Sequence, residues 1–217
     1  KYTKIALKQI VEEKPCCSCS SAPGTYTSFS EDYSKLPGYS AQADLKLGCG
    51  VPTEAARIRP GDTVLDLGSG AGNDVLVARS MVGSTGKVIG VDMTEAMIEK
   101  ARHNAETLGY SNVEFHLGEI EKLPLPDECT DAVISNCVLN LVPDKRKAFA
   151  EIMRVLRKGG HFSVSDMVLN RPLPAELKDA AELYAGCVAG ALPKEEYLQI
   201  IKEQGFQNVE VIIEKAH

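Results

Sequence analysis

The strongest constraint on this chain is a short strand that runs straight into a glycine-rich turn. Thr63-Val64-Leu65-Asp66-Leu67 is mostly apolar, and Gly68-Ser69-Gly70-Ala71-Gly72 follows it without a break. Glycines let the backbone bend tightly and let a ligand approach with no Cβ in the way. Asn73–Met81 then carries a helical pattern. Strand, tight turn, helix is the opening unit of a sheet covered by helices.

The rhythm continues along the chain. Lys87–Asp92 reads as a second strand, and Thr94 as the N-cap of a helix that runs to Leu108 and stops at Gly109. Val113–Leu117 is a third strand, and Ala132–Ser135 a fourth within an apolar run to Val142. Lys145–Leu156 is helical, Gly159-Gly160 breaks it, and His161–Val168 is a fifth strand. Lys194–Gln204 and Val209–Ile213 add one more helix and strand. This alternation predicts an α/β fold with a doubly wound, mostly parallel sheet of Rossmann-like type. Three parts are expected: an N-terminal Cys-bearing lid over residues 1–56, a ligand-binding domain over 57–169, and a C-terminal extension over 170–217 that opens with Pro172 and Pro174.

Composition narrows the setting. The chain has 217 residues, enough for one α/β domain with a small appendage. Lys and Arg number 24 against 30 Asp and Glu, a net charge of −6 that argues against a nucleic-acid or anionic-membrane partner. No apolar run approaches the ~20 residues that span a bilayer. Lys1–Lys14 carries charges throughout and is not expected to be a signal peptide. Seven cysteines, an odd number, do not suggest a secreted disulfide framework. The expectation is a cytoplasmic monomer whose thiols serve binding or redox chemistry, or fill small apolar spaces.

In such sheets ligands bind at the carboxyl ends of the strands, near the switch point of strand order. The glycine turn lies there, and so does Asp92, whose carboxylate can accept from both hydroxyls of a ribose. The dinucleotide fingerprint is G-x-G-x-x-G/A. Counted from Gly68, its last position falls on Asn73, which does not fit. Asp66 beside the turn would repel a pyrophosphate and attract an ammonium. A nucleoside bearing an amino acid satisfies both carboxylates, and S-adenosylmethionine is such a molecule. Glycines that only make a tight turn would leave Asp66 and Asp92 unexplained.

The cysteines bear on the acceptor. Cys137 ends the fourth strand in Ser135-Asn136-Cys137-Val138-Leu139-Asn140-Leu141, Cys49 sits between Gly48 and Gly50, and Cys187 lies in Gly186-Cys187-Val188-Ala189-Gly190. Cys16, Cys17 and Cys19 lie in the Pro15–Gly24 loop, and Cys129 in a polar turn reads as structural or free. Soft thiolates prefer thiophilic centres. Trivalent arsenic forms strong bonds to three thiolates and keeps a lone pair able to attack a sulfonium methyl. The bland alternatives are that Cys49, Cys137 and Cys187 pack tight turns or small core spaces, and that Cys16-x-x-Cys19 is half of a zinc site lacking its second pair. His103, His116, His161 and His217 form no ligand motif.

Residues 57–169 resemble class I methyltransferases. Over a longer span, from about Cys16 to Leu192, the chain is similar to arsenite methyltransferases. The resemblance rests on Gly48-Cys49-Gly50, Val91-Asp92-Met93-Thr94, Gly118-Glu119-Ile120-Glu121, Ser135-Asn136-Cys137-Val138-Leu139-Asn140-Leu141 and Gly186-Cys187-Val188-Ala189-Gly190-Ala191-Leu192. It implies that Cys49, Cys137 and Cys187 hold arsenic(III). It also implies that an N-terminal cysteine partners Cys49 during turnover, with Cys17 favoured over Cys16 and Cys19. Donor contacts then fall to Asp66, Gly68, Ser69, Gly70, Gly72, Asp92, Met93, Thr94, Glu119, Ile120, Glu121 and Asn136, with the acidic stretch after the third strand near the adenine amino group. The family continues beyond a position like His217, so the chain reads as a truncated member.

The resulting expectation is methyl transfer from S-adenosylmethionine to arsenic(III), delivered as a small-thiol complex and supported by a reductant such as glutathione or thioredoxin. Two rivals stand beside it. One is a class I methyltransferase for another small acceptor, such as a quinone, which calls for an aromatic-lined pocket. Tyr26, Phe29, Tyr33 and Tyr39 could supply such a lining, or contact a sulfonium, or only pack the lid. The other is a thiol-rich protein that sequesters metalloids without turnover and does not require Asp66 and Asp92.

Overall fold

The computed structural model describes residues 30–170 and 190–215. Among the described residues five strands form one sheet: β1 (Thr63–Leu67), β2 (Lys87–Asp92), β3 (Val113–Leu117), β4 (Thr130–Asn136) and β5 (Leu156–Ser165). Their order is β3-β2-β1-β4-β5, and every neighbouring pair is parallel. The described helices are α1 (Pro52–Ala55), α2 (Asn73–Val82), α3 (Glu95–Thr107), α4 (Lys145–Val155) and α5 (Lys194–Glu203), with a 3-10 turn at Leu139–Leu141. No described helix is long and apolar enough to cross a membrane.

Strand alternation divides the core into two layers. Leu65, Leu67, Ile89, Val91 and Val133 face one side, where Phe149 and Ile152 of α4 and Tyr197 and Ile200 of α5 cover them. Val64, Val88, Phe115, Ala132 and Ile134 face the other, against Val75, Leu76 and Ala78 of α2 and Ile98 and Ala101 of α3. Both faces of β1 and β4 are therefore dry, which is why these strands read as apolar runs. The fully buried Phe149 ring stands edge-on to Phe162, Tyr197 and Phe206, with centroids 6.0, 5.7 and 6.5 Å away. That cluster fixes α5 against β5.

The strand order reverses between β1 and β4, so the connections leaving their carboxyl ends part and open a crevice. The glycine turn leaves β1 there, and Cys137 follows β4. The helix ending at Val155 runs directly into β5, which starts at Leu156 and ends at Ser165. The expected break at Gly159-Gly160 instead falls inside the strand. The β4–β5 register shifts between Thr130 and Ala132 at this end, Gly159 has φ +80°, and a Cβ on Gly160 would lie 2.9 Å from the Asp131 carbonyl oxygen. The glycines accommodate an irregular pairing. Val209–Ile213 forms no strand, since it pairs with no described strand and its Val211, Ile212 and Ile213 side chains are exposed. Thr94 does stand at the N-cap of α3, but its side chain makes no capping bond.

Candidate active site

The glycine turn is held from both sides. The Gly68 and Ser69 N–H groups donate to the Val91 carbonyl at 2.8 and 3.0 Å, and the Asn104 side chain on α3 donates to the Ala71 carbonyl at 2.9 Å. Gly68 has φ +69°, and a Cβ there would overlap Val138. In front of Gly70 there is open space. Asp92 receives the Gly70 N–H on Oδ2 at 3.0 Å and the Thr94 N–H on Oδ1 at 2.8 Å. It thus ties the end of β2 to the turn after β1 and to the start of α3. Met93, beside it, is 74% exposed, which leaves an apolar side chain at the mouth of the crevice.

Asp66 is buried at the end of β1. Burial, then the charges of Asp74 and Asp92, hold its carboxyl well above the usual range. No Lys or Arg forms an ion pair with Asp66 or Asp74 among the described residues. The buried Ser69 hydroxyl has no hydrogen-bond partner among the described residues. A crevice with uncompensated carboxyls, an orphaned hydroxyl and open space before Gly70 suits a cationic, polar ligand. S-adenosylmethionine meets that description.

Cys49 and Cys137 come together on one atom. The Cys137 N–H donates to the Ser165 carbonyl at 2.7 Å, and the Cys49 thiol reaches the same oxygen at 3.4 Å. Cys137 is buried and has φ +58°, a left-handed conformation that non-glycine residues rarely take. The Cys49 loop is clamped by Asn136, whose Oδ1 accepts the Cys49 N–H at 3.0 Å and whose Nδ2 donates to the Gly50 carbonyl at 2.9 Å. Nδ2 also lies 3.0 Å from Asp74 Oδ2 and 2.9 Å from the Tyr33 hydroxyl. Tyr33 donates to Asp74 Oδ1 at 2.7 Å, with the Gly50 carbonyl 2.8 Å away. Burial pushes the Asp74 carboxyl up to about 6, against the hydrogen bonds from Asn136 and Tyr33 that lower it.

The structure thus gathers Asp66, Gly68–Gly72, Asp92, Met93, Thr94, Asn136, Cys49 and Cys137 at the carboxyl edge of the sheet. The stretch after β3 divides. Glu119 is exposed, Ile120 joins the core, and Glu121 accepts the Asp144 N–H at 2.8 Å just before α4. Cys16, Cys17, Cys19 and Cys187 lie outside the described residues. Gly190 packs so closely on the Asn140 carbonyl that an added Cβ would overlap it. Cys129 is half-buried at the opposite end of β4, where burial raises its thiol.

Sequence reasoning did not single out Asp74, Asn104, Asp166 or Tyr197, and it offered Tyr33 only as a ring. Asp166 follows Ser165 directly. The Tyr197 hydroxyl donates to its Oδ2 at 2.7 Å, while Oδ1 is shielded from solvent and has no partner among the described residues. Burial pushes this carboxyl up to about 7, opposed by the Tyr197 bond and the Lys145 charge. The position of Asp74 in the first turn after Gly72 was a usable signal. Nothing local marks Asp166 or Tyr197.

Comparison with known proteins agrees with this geometry. A family model described as a methyltransferase domain matches residues 58–205. An arsenite methyltransferase of Halobacterium salinarum is 45% identical over 196 residues, covering 90% of this chain and 50% of that protein. The arsenite methyltransferase of Mus musculus is 41% identical over 170 residues, covering 73% and 44%. The chain therefore spans about half the length of the curated relatives it matches. The crystal structure of CrArsM, an arsenic(III) S-adenosylmethionine methyltransferase from Chlamydomonas reinhardtii, superposes with a TM-score of 0.66 at 42% identity, over 73% of this chain and 55% of that one. With its parallel sheet, its glycine turn and a family match across most of its length, this chain belongs to the methyltransferase domain family.

Proposed function

We propose that this chain moves the methyl group of S-adenosylmethionine to trivalent arsenic held by Cys49, Cys137 and Cys187. The observation that carries this reading is the meeting of Cys49 and Cys137 on the Ser165 carbonyl, beside the crevice lined by Asp66 and Asp92. The names of the relatives support it. Asp66 would accept the donor's ammonium, Asp92 its ribose hydroxyls, and Met93 would cover the base, with Thr94, Glu119, Ile120 and Glu121 along the same edge. When bound, the donor supplies an electrophilic methyl on a sulfonium.

The rest falls to the chain's own residues. Arsenic(III) arrives as a thiol complex and exchanges onto the cysteines, each exchange returning one small thiol per new As–S bond. The thiolates hold the arsenic with its lone pair free. That nucleophile carries no proton, so the residues need supply no general base. Their contribution is proximity, orientation and exclusion of water. Transfer releases S-adenosylhomocysteine and leaves the methylated arsenic pentavalent. Cys17 is proposed to join Cys49 in a disulfide as two electrons pass from their thiols to that arsenic and return it to the trivalent level. A glutathione- or thioredoxin-type reductant then restores both thiols.

Cys137→Ser tests the reading, assayed with arsenite and methyl-labelled donor while calorimetry follows S-adenosylhomocysteine. The expected result is loss of transfer with donor binding kept. Undiminished transfer overturns the thiolate assignment. Tight arsenic binding with no donor binding in the wild type would favour sequestration instead.

A further inference from the structure

We propose that Tyr33 and Asn136 are positioning residues for the Cys49 thiol, and that through Asp74 they couple its placement to occupancy of the donor crevice beside Asp66. The proposal rests on the reading of Cys49 as an acceptor-site thiol and of Asp66 as a donor contact.

The geometry of the clamp comes first. Asn136 meets the backbone of the Cys49 loop as a neighbouring strand would, accepting one N–H and donating to the next carbonyl. It is the last residue of β4, immediately before Cys137. The Cys49 loop therefore hangs from the residue that precedes Cys137. The fit is close, since a Cβ on Gly48 would lie 2.5 Å from Asn136 Nδ2. Rotation of the amide would break both of its bonds to the Cys49 loop.

The anchor lies on the donor side. Asp74 belongs to the first turn of α2, which starts where the glycine turn ends. Its two oxygens meet Tyr33 and Asn136, the two side chains that touch the Gly50 carbonyl. The same carboxylate raises the cost of charge on Asp66. Asp74 thus hangs the clamp from the first turn of the helix that the Gly68–Gly72 turn feeds, so a donor seated against that turn steadies the carboxylate on which both clamp side chains rest. Donor occupancy therefore tightens the clamp, and by linkage a docked Cys49 loop favours the donor.

Alkylation of Cys49 by iodoacetamide, followed by peptide mass spectrometry on the full chain with Cys129 as internal reference, tests this without arsenic. Saturating S-adenosylhomocysteine, which retains the ammonium, is verified by calorimetry for each variant. In the wild type it is expected to slow Cys49 labelling about tenfold, within the usual range for coupled sites, and to leave Cys129 unchanged. In Tyr33→Phe the protection is expected to fall to about twofold or less. Equal Cys49 rates with and without S-adenosylhomocysteine in the wild type overturn the coupling, and that arm does not depend on any variant folding. Undiminished protection in Tyr33→Phe also overturns it, because a ligand that merely covers Cys49 shields both proteins alike. Absence of arsenite binding alongside intact protection would overturn the acceptor and leave the coupling standing.

Discussion

The Cys49 thiol lies 3.4 Å from the Ser165 carbonyl oxygen, the same oxygen that takes the Cys137 N–H at 2.7 Å. One backbone carbonyl at the end of β5 thus takes both the Cys49 thiol and the Cys137 backbone N–H. Gly50 permits the approach, because a Cβ there would lie 2.7 Å from Ser165 Oγ and 2.8 Å from its Cβ. Gly50→Ala is expected to push the Cys49 loop outward. Arsenite affinity should fall about tenfold, or ~1.4 kcal/mol, and because the docked loop favours the donor, S-adenosylhomocysteine affinity should fall as well, by no more than the roughly tenfold coupling. Calorimetry with each ligand checks this, and unchanged arsenite affinity would refute the shared-carbonyl geometry.

Asp92 joins three elements through two backbone bonds, to Gly70 and Thr94. Asp92→Ala leaves both N–H groups without that acceptor and removes the carboxylate assigned to the ribose. A hydrogen bond to a charged group contributes about 1.5–3 kcal/mol. S-adenosylhomocysteine affinity is therefore expected to fall roughly 10- to 100-fold, by titration calorimetry. An affinity within twofold of wild type would remove Asp92 from the donor site.

Asp166 makes stability depend on pH in a stated direction. Its carboxyl titrates at about 7 in the folded chain and near 3.8 when unperturbed. Between those values the folded state keeps a proton that the unfolded state has lost. Stability is then greatest at the acid end, falls as pH rises through this window, and levels off above about 7. Lys145, Tyr197 and Glu196 share the surroundings, and Tyr197 also feels Cys49 and Cys137. Asp166→Asn keeps an acceptor for the Tyr197 hydroxyl and removes the titration. Melting curves at pH 5, 6, 7 and 8 should show the variant gaining on the wild type as pH rises. A difference that stays constant across the series would refute the assignment.

Strands β1, β2 and β3 match the sequence expectation residue for residue, because each is a short run enclosed by turn residues and packed on helices. The failures have one cause. Val209–Ile213 has strand composition, but a strand exists only by pairing, and its neighbours in sequence cannot announce a partner. Gly159-Gly160 looked like a helix stop because the irregular pairing they serve is with β4, far back in the chain. The site divides the same way. Gly68–Gly72 and Asp92 announce themselves through local spacing. Asn136 does not, since its partners Cys49 and Tyr33 are 87 and 103 residues away. Its amide holds the Cys49 loop through the Cys49 N–H and the Gly50 carbonyl.

Cys137 offers a test of strain at the site. Its φ of +58° crowds the Cβ of an L-residue against its own backbone, at a cost of roughly 1–2 kcal/mol. Elsewhere, replacing alanine by glycine loosens the unfolded chain and destabilises a protein by about 0.4–1 kcal/mol. Here the sign should reverse. Cys137→Ala and Cys137→Gly both lose the thiol, so their difference isolates the Cβ. Cys137→Gly is expected to be the more stable of the two by about 1 kcal/mol in urea unfolding, the relieved strain exceeding the added freedom. Were Cys137→Ala the more stable, the left-handed turn would be a comfortable one, and backbone strain would have no part in aiming the thiol. If glycine wins, the chain keeps a strained cysteine where a relaxed glycine would fold better, as expected when the position is held for its chemistry.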